Sequence, residues 1–104
     1  MPKSLPEKPT LADLQTHIRE VVDEKGWTKD PNEIFILFTE EVGELACELR
    51  KTWNYGSMDV KKDPSGELAD VFMYLLDLAN HFDVDLEKAT REKLEKNNGR
   101  TWDY

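Results

Sequence analysis

The chain has very little cysteine and no long run of apolar residues. Its 104 residues include one cysteine, Cys47, so no disulfide can form within the chain and no cysteine-based zinc site can be built. This usage is typical of a reducing compartment and predicts a cytoplasmic protein. No apolar stretch is long enough to span a membrane, and residues 1–9 lack the apolar segment of a signal peptide. We therefore expect no membrane partner.

Basic runs are missing as well. The formal net charge is −8 at pH 7, with 22 acidic residues against 14 lysines and arginines. An acidic protein without a basic patch repels the phosphates of a nucleic acid polymer, so DNA and RNA are not expected partners. A small phosphorylated ligand is compatible with this charge, because a metal ion can bridge acidic side chains and phosphate oxygens.

Helical patterns are what the sequence does contain. Residues 1–9 are rich in proline and lysine and predict a flexible arm, followed by one domain over residues 10–104. Thr10 is the predicted N-cap of the first helix, with Asp13 placed to complete a capping box. Gly26 is the predicted end of this helix.

Three further helices are predicted from repeated cap signals. Asp30-Pro31 begins the second helix, with Glu33 placed to close a capping box. The second helix should end near Lys51, the third should run from Asp63-Pro64 to about Phe82, and the fourth should run from Asp83 or Asp85 to near Asn98. A loop is expected over residues 53–60. No β pattern is present, so the predicted fold class is all-α, with four helices.

Two helical segments, 34–38 and 71–76, are apolar on all sides apart from the Tyr74 hydroxyl. A helix of this kind must be covered all round, and four short helices in one chain cover only one side of each. The surplus apolar surface predicts a homodimer or a larger assembly. The alternative is an unusually well-wrapped monomer.

Pairs of acidic residues one turn apart occur on the second and third helices. They are Glu41 with Glu44 and Glu67 with Asp70, and residues three apart share a helix face. In an antiparallel hairpin the four carboxylates would repel one another and have raised pKa values unless a cation lay between them. Oxygen ligands suit Mg²⁺ first and Mn²⁺ second. The alternative is a solvated acidic face, although the apolar neighbours argue against a role in solubility alone.

These acids also carry a family resemblance. Glu41-x-x-Glu44 followed by Glu67-x-x-Asp70 resembles the E-x-x-E…E-x-x-D signature of the MazG-like, all-α nucleoside triphosphate pyrophosphohydrolases. Further similar segments are Glu40 to Leu45, Gly66 to Val71, Lys93-x-x-x-Asn97-x-x-Arg100-x-Trp102, and Gly26-Trp27, which resembles the dCTP pyrophosphatase branch. The resemblance covers about residues 10–102.

The resemblance implies a four-helix MazG-like bundle that works as a homodimer or homotetramer. It implies hydrolysis of a nucleoside triphosphate to the monophosphate and pyrophosphate, with a house-cleaning role in the nucleotide pool. The four paired acids would bind Mg²⁺, and Glu40 would orient or deprotonate the attacking water. This division is physically compatible, because a metal ion lowers the pKa of water and a nearby carboxylate accepts the proton.

Substrate-binding residues are expected on the fourth helix and among the tryptophans. Lys93, Asn97 and Arg100 either complement the negative helix end or bind the triphosphate, and the resemblance favours the triphosphate. Trp27 and Trp53 are candidates to stack on the base, because the resembling dCTP pyrophosphatases place aromatic residues there. The alternative for each tryptophan is a place in the core or an interface.

Two other functions stay open from the sequence. A phosphoribosyl-ATP pyrophosphohydrolase of histidine synthesis shares the helical fold and the acidic motif, although Trp27 and the Lys/Asn/Arg/Trp segment favour the MazG-like side. A non-catalytic acidic helical module that binds a protein partner would need no metal. The sequence does not identify the base or the sugar.

Overall fold

A computed structural model of the chain describes the backbone of residues 4–53 and 63–98, and the side chains of residues 4–51 and 63–98. These ranges contain four α-helices and no β-strand. The helices are α1 (Leu11–Lys25), α2 (Pro31–Trp53), α3 (Ser65–His81) and α4 (Leu86–Asn98). The predicted all-α fold class is confirmed. The loop expected after α2 lies, beyond Trp53, outside the described residues. None of the described helices is long and apolar enough to cross a membrane.

The ends of α1 form as the sequence predicts. The Thr10 hydroxyl accepts a hydrogen bond from the Asp13 backbone N–H, and the Asp13 carboxylate accepts one from the Thr10 N–H, which completes the capping box. Gly26 ends the helix in the left-handed conformation, with φ 64°. The next residue, Trp27, donates its N–H to the Val22 carbonyl at 3.1 Å, so the direction in which the chain leaves α1 is fixed by the backbone.

The start of α2 differs from the prediction in one respect. The Asp30 carboxylate accepts from the Asn32 N–H at 3.0 Å, as a cap should. Glu33 does not close a capping box, because its carboxylate accepts from the Thr28 hydroxyl instead. The same hydroxyl accepts from the Asp30 N–H. The Thr28 hydroxyl therefore accepts the hydrogen bond from the Asp30 N–H that the Glu33 carboxylate was expected to accept.

The other two helices also begin at aspartates. The Asp63 carboxylate accepts from the Ser65 N–H at 3.0 Å at the start of α3. Asp85 caps α4, accepting from the Lys88 N–H at 3.1 Å. Asp83, the other candidate for that cap, lies in the connecting turn with a positive φ of 53°.

The helix α3 is central, because it packs against both α2 and α1, whereas α4 packs against α1. Among the described residues, the apolar side chains that are fully covered are Val22, Ile34, Leu76 and Ala79. This core is small for a chain of this length. None of the residues of α4 is buried, so this helix depends on few apolar contacts within one chain.

A polar network joins α1 to α3 and to the start of α4. The side-chain amide of buried Gln15 donates to Asn80 Oδ1 at 3.1 Å and to the Val84 carbonyl at 2.8 Å. Its oxygen accepts from the Leu86 N–H at 3.1 Å, and Asn80 Nδ2 donates to the Gln15 carbonyl at 2.9 Å. Because its buried groups are paired with one another, the network adds specificity without leaving an orphaned amide.

Large apolar side chains remain open on α2 and α3. Phe35 and Ile36 are 56% and 58% exposed, in the segment predicted to need cover on every side. The exposed large apolar side chains of α3 are Leu68, Phe72, Met73 and Leu75. A single chain therefore leaves these two helices with uncovered apolar surface.

Candidate active site

A cavity of about 320 Å³ lies between α1, α2 and α3. The α1 wall is mainly aliphatic, with Ile18, Val21 and Val22 beside His17. Glu41 of α2 and Asp70 of α3 supply acidic groups at the same cavity. Its size and its mainly apolar lining with a few polar groups are typical of small-molecule sites.

Glu41 is the most perturbed of the predicted acids. One of its carboxylate oxygens, Oε2, is shielded from solvent and has no hydrogen-bond partner among the described residues. Burial raises the pKa of Glu41 above 4.5, and the carboxylates of Glu44, Asp70 and Glu40 raise the pKa further. An orphaned, shielded oxygen surrounded by like charges fits a bound cation, which would supply the missing partner.

The structure brings some of the predicted acids together and leaves others apart. Glu41, Glu44 and Asp70 interact across α2 and α3, and Glu40 acts on Glu41 along α2. Glu67 lies half-buried one turn before Asp70 and does not contribute to the pKa of Glu41. Within residues 4–51 and 63–98, no three acidic, histidine or cysteine side chains converge closely enough to enclose a metal ion. The oxygen donors of Glu41 and Asp70 are of the type that Mg²⁺ prefers, and this ion often takes one or two carboxylates and fills its shell with water and phosphate oxygens.

Two further side chains of α3, Tyr74 and Asp77, line the cavity beyond Asp70. Tyr74 has a raised pKa, first because of burial and then because of Glu41 and Asp70, so its hydroxyl stays a neutral hydrogen-bond donor. Asp77 is 8% exposed and also lines the cavity. Burial raises the pKa of Asp77, and His81, whose Nε2 lies 3.4 Å from Asp77 Oδ1, opposes that shift.

Asp77 is the cavity residue that sequence reasoning missed. The available signal was a lone carboxylate inside the apolar run of the third helix, seven residues after Asp70. Two turns of helix bring residues at this spacing onto one face. His17 of α1 is half-buried and also lines the cavity.

Trp27 lies at the cavity as a half-exposed side chain, with 53% of its surface accessible. The Lys25 Nζ atom lies 5.8 Å from the centre of its ring. This tryptophan contributes little to the core and is available to stack on a flat ligand. Trp53 is the last residue of α2, and its side chain lies outside the described residues.

Two of the predicted phosphate-binding residues, Lys93 and Asn97, do not line this cavity within one chain. Lys93 is exposed on α4, and neither it nor Asn97 lines the cavity. Asn97 is half-buried, and its Oδ1 has no hydrogen-bond partner in the described part of the chain. Arg100 lies outside the described residues.

Known proteins match the chain at the level of family, sequence and fold. A family model described as the MazG nucleotide pyrophosphohydrolase domain matches residues 29–103. The chain is 33% identical to a dATP/dGTP diphosphohydrolase of Cyanophage S-2L, over 89% of this chain and 78% of that protein. It is 32% identical to dCTP pyrophosphatase 1 of Rattus norvegicus, over 95% of this chain and 63% of the relative.

A solved structure shares the fold. The crystal structure of YpjD from Bacillus subtilis superposes on this chain with a TM-score of 0.74 at 27% sequence identity. The superposition covers 92% of this chain and 100% of the YpjD chain. The four-helix arrangement is therefore common to both chains.

Proposed function

The chain belongs to the MazG nucleotide pyrophosphohydrolase family, and from that premise we propose that it hydrolyses a nucleoside triphosphate to the monophosphate and pyrophosphate. We propose Mg²⁺ as the cofactor, with Mn²⁺ able to replace it. The observation that carries the proposal is the cavity in which the orphaned Glu41 oxygen, close to Asp70, adjoins an apolar compartment. Two relatives are named for reactions of this class on deoxynucleotides.

The acids have separate roles in the proposal. Glu41 and Asp70 bind the cation directly. Glu44, one turn after Glu41, and Glu67, one turn before Asp70, complete the acidic site. When bound, Mg²⁺ neutralises phosphate oxygens and lowers the pKa of water. Glu40 is exposed on α2 beside Glu41, and we assign it the proton of the attacking water.

The apolar compartment is the proposed nucleoside site. Trp27 stacks on the base at its mouth, and the aliphatic wall of α1 excludes water from the sugar and base. Trp53 is a second proposed stacking residue. This division places the triphosphate at the acids and the base along α3.

The proposed triphosphate contacts require a second copy of the chain. Lys93, Asn97 and Arg100 carry the donors that bind phosphate oxygens. Because Lys93 and Asn97 do not line the cavity of their own chain, α4 of another copy must approach the acids. A homodimer or homotetramer supplies that helix and also covers the open apolar faces of α2 and α3.

Phosphoribosyl-ATP hydrolysis is the alternative reaction, and a protein-binding acidic bundle is the alternative class of function. A cytoplasmic location and a role in nucleotide-pool house-cleaning belong to the main proposal. A single assay separates these three candidate functions, since each predicts a different response to metal and nucleotide.

The experiment is a screen of nucleoside triphosphates and phosphoribosyl-ATP for pyrophosphate release with Mg²⁺. We expect release from at least one nucleoside triphosphate, loss of activity in EDTA, and recovery with Mg²⁺ or Mn²⁺. Full activity in excess chelator contradicts the metal requirement. Release from phosphoribosyl-ATP alone supports the alternative reaction. A protein that releases no pyrophosphate and shows no metal-induced rise in melting temperature supports the non-catalytic class.

A further inference from the structure

We propose that Asp77 accepts a hydrogen bond from the exocyclic amino group of the nucleobase, so that the cavity selects cytosine, adenine or guanine nucleotides over analogues that lack that amino group. This inference rests on the proposed function and names its substrate class.

The position of Asp77 matches the length of a nucleoside. Asp70 and Asp77 lie on one side of α3 and line the same cavity, with Tyr74 between them. Seven residues of α-helix separate them by about 10 Å along the axis. This is comparable to the span from the α-phosphate to the far edge of the base in an extended nucleotide. A phosphate held at Asp70 through a cation therefore places the base edge close to Asp77.

The surroundings of Asp77 suit a ligand better than solvent. The residue is 8% exposed, and the α1 wall of the same cavity presents aliphatic Ile18, Val21 and Val22 beside His17. Its polar contact in the described part of the chain is with His81 of its own helix, at 3.4 Å from Oδ1. A carboxylate in an apolar cavity is costly unless its acceptor sites are used. A base amino group supplies the hydrogen bonds that the cavity walls do not.

The chemistry of the carboxylate determines which base edge it accepts. An aspartate accepts hydrogen bonds when ionised and keeps acceptor capacity when protonated. The amino groups of cytosine, adenine and guanine donate to such an oxygen, as carboxylates accept from the cytosine amino group in nucleic acid complexes. Uracil and hypoxanthine present carbonyl oxygens where cytosine and adenine carry amino groups, and a carboxylate repels these oxygens. A site built around a buried hydrogen bond rejects analogues that lack the donor.

The experiment compares kcat/KM for substrate pairs that differ in one amino group. The pairs are dCTP with dUTP, dATP with dITP, and dGTP with dITP. The parent should favour the amino member of at least one pair. Asp77→Asn should reduce that ratio by about 10-fold to 100-fold, the equivalent of one hydrogen bond to a charged group. The asparagine amide can turn either its oxygen or its NH₂ toward the base and so no longer separates amino from carbonyl.

Controls separate recognition from a structural role of the Asp77–His81 pair. Asp83→Asn makes the same chemical change at an exposed turn residue with positive φ and should leave every ratio unchanged. Asp77→Leu suits the apolar cavity and provides a folded test if the asparagine variant is unstable, and it should also lose the preference. The inference is wrong if the parent treats both members of each pair alike, or if the Asp77 variants lose activity while their ratios stay at the parental value. A parent inactive on every nucleotide overturns the proposed function itself, and the inference with it.

Discussion

At the scale of single residues, Glu41 combines an unfavourable environment for its charge with a proposed functional role. Its carboxylate is partly shielded, lacks a partner for Oε2, and is surrounded by three other acids. Such a group destabilises the metal-free fold and becomes favourable when a cation binds. The same reasoning predicts different outcomes for substitutions at the ligands and at the proposed base.

Glutamine substitutions should separate metal binding from proton transfer. Glu41→Gln and Glu67→Gln remove a charge while keeping shape, so turnover should fall by orders of magnitude because electrostatic stabilisation is lost. Glu41→Gln should leave the metal-free protein at least as stable as the parent, since repulsion falls. Glu40→Gln should keep Mg²⁺ affinity and lose about 10²-fold to 10⁴-fold in kcat. The measurements are Mg²⁺ titration calorimetry and steady-state turnover.

The matched control for these variants is Glu24→Gln on the exposed face of α1, which should behave like the parent in both assays. If Glu40→Gln turns over normally while binding metal, Glu40 is not the base. Parental metal binding and hydrolysis in both Glu41→Gln and Glu67→Gln would rule out the proposed carboxylate site.

Asp77 should make the stability of the metal-free protein depend on pH. Burial raises its pKa above the ordinary 3.8, so the folded state holds the proton more tightly than the unfolded chain. The favourable contribution is present below the ordinary pKa and is lost as pH rises through the folded pKa. Asp77→Asn cannot ionise, so its stability relative to the parent should increase as the pH rises from the ordinary pKa of aspartate through the raised pKa of the folded state. Urea unfolding at several pH values measures this difference, and a constant difference would contradict it.

At the scale of helices, the Gln15 network is the joint between α1, α3 and α4. Gln15→Ala leaves the Val84 carbonyl and the Leu86 N–H without their partner. The expected loss is about 1–3 kcal/mol in the free energy of unfolding. Thr16→Ala, at the exposed neighbouring position on the same helix, should change stability by less than about 0.5 kcal/mol. Denaturant melts of both variants test the network, and equal effects would contradict its role.

The helices were predictable from local chemistry, whereas the cavity was not. Thr10, Asp13 and Gly26 are short-range signals, since a cap bonds the backbone within a few residues and needs no distant partner. Glu33 shows the limit of that reasoning, because the Thr28 hydroxyl, and not the Glu33 carboxylate, accepts the hydrogen bond from the Asp30 N–H. Asp77 shows a different limit, because its importance comes from α1 packing across the face of α3, which no local pattern contains.

The acidic motif was predictable for a third reason. Spacing of three residues places Glu41 and Glu44 on one face of α2 in any helix, and their interaction with Asp70 follows once α2 and α3 pair. How Glu67 approaches the others depends on the mutual rotation of the two helices. Periodicity specifies that rotation only loosely, because α2 and α3 are apolar on several sides.

At the scale of the whole molecule, the exposed apolar faces of α2 and α3 predict self-association. Light scattering at micromolar concentration should report a dimer or a larger assembly. Ile36→Lys, at a side chain that is 58% exposed in one chain, should keep the fold and shift the protein toward monomer, because a desolvated charge is costly at an interface. The expected result is a mass-average molar mass below that of the parent at the same protein concentration.

Leu5→Lys serves as the control for this substitution. Leu5 is 40% exposed and lies before α1, where it lines a surface pocket together with Asp13, Thr16 and Glu20 of that helix. The Leu5→Lys substitution should leave the assembly intact. A parent that is monomeric, or an assembly unaffected by Ile36→Lys, would contradict the proposed interface. If α4 of a second copy supplies phosphate contacts, the monomeric variant should also lose activity.

The turn at Gly26 has a consequence for how this family can diversify. The left-handed glycine and the Trp27 N–H bond to Val22 fix the position of residue 27 through the main chain. The Trp27 side chain, half-exposed at the cavity mouth, therefore supports little of the fold. Replacement there alters what the mouth of the cavity contacts at small cost in stability. Where Trp27 contacts the base as proposed, selection can change ligand preference at this position without first finding compensating mutations in the core.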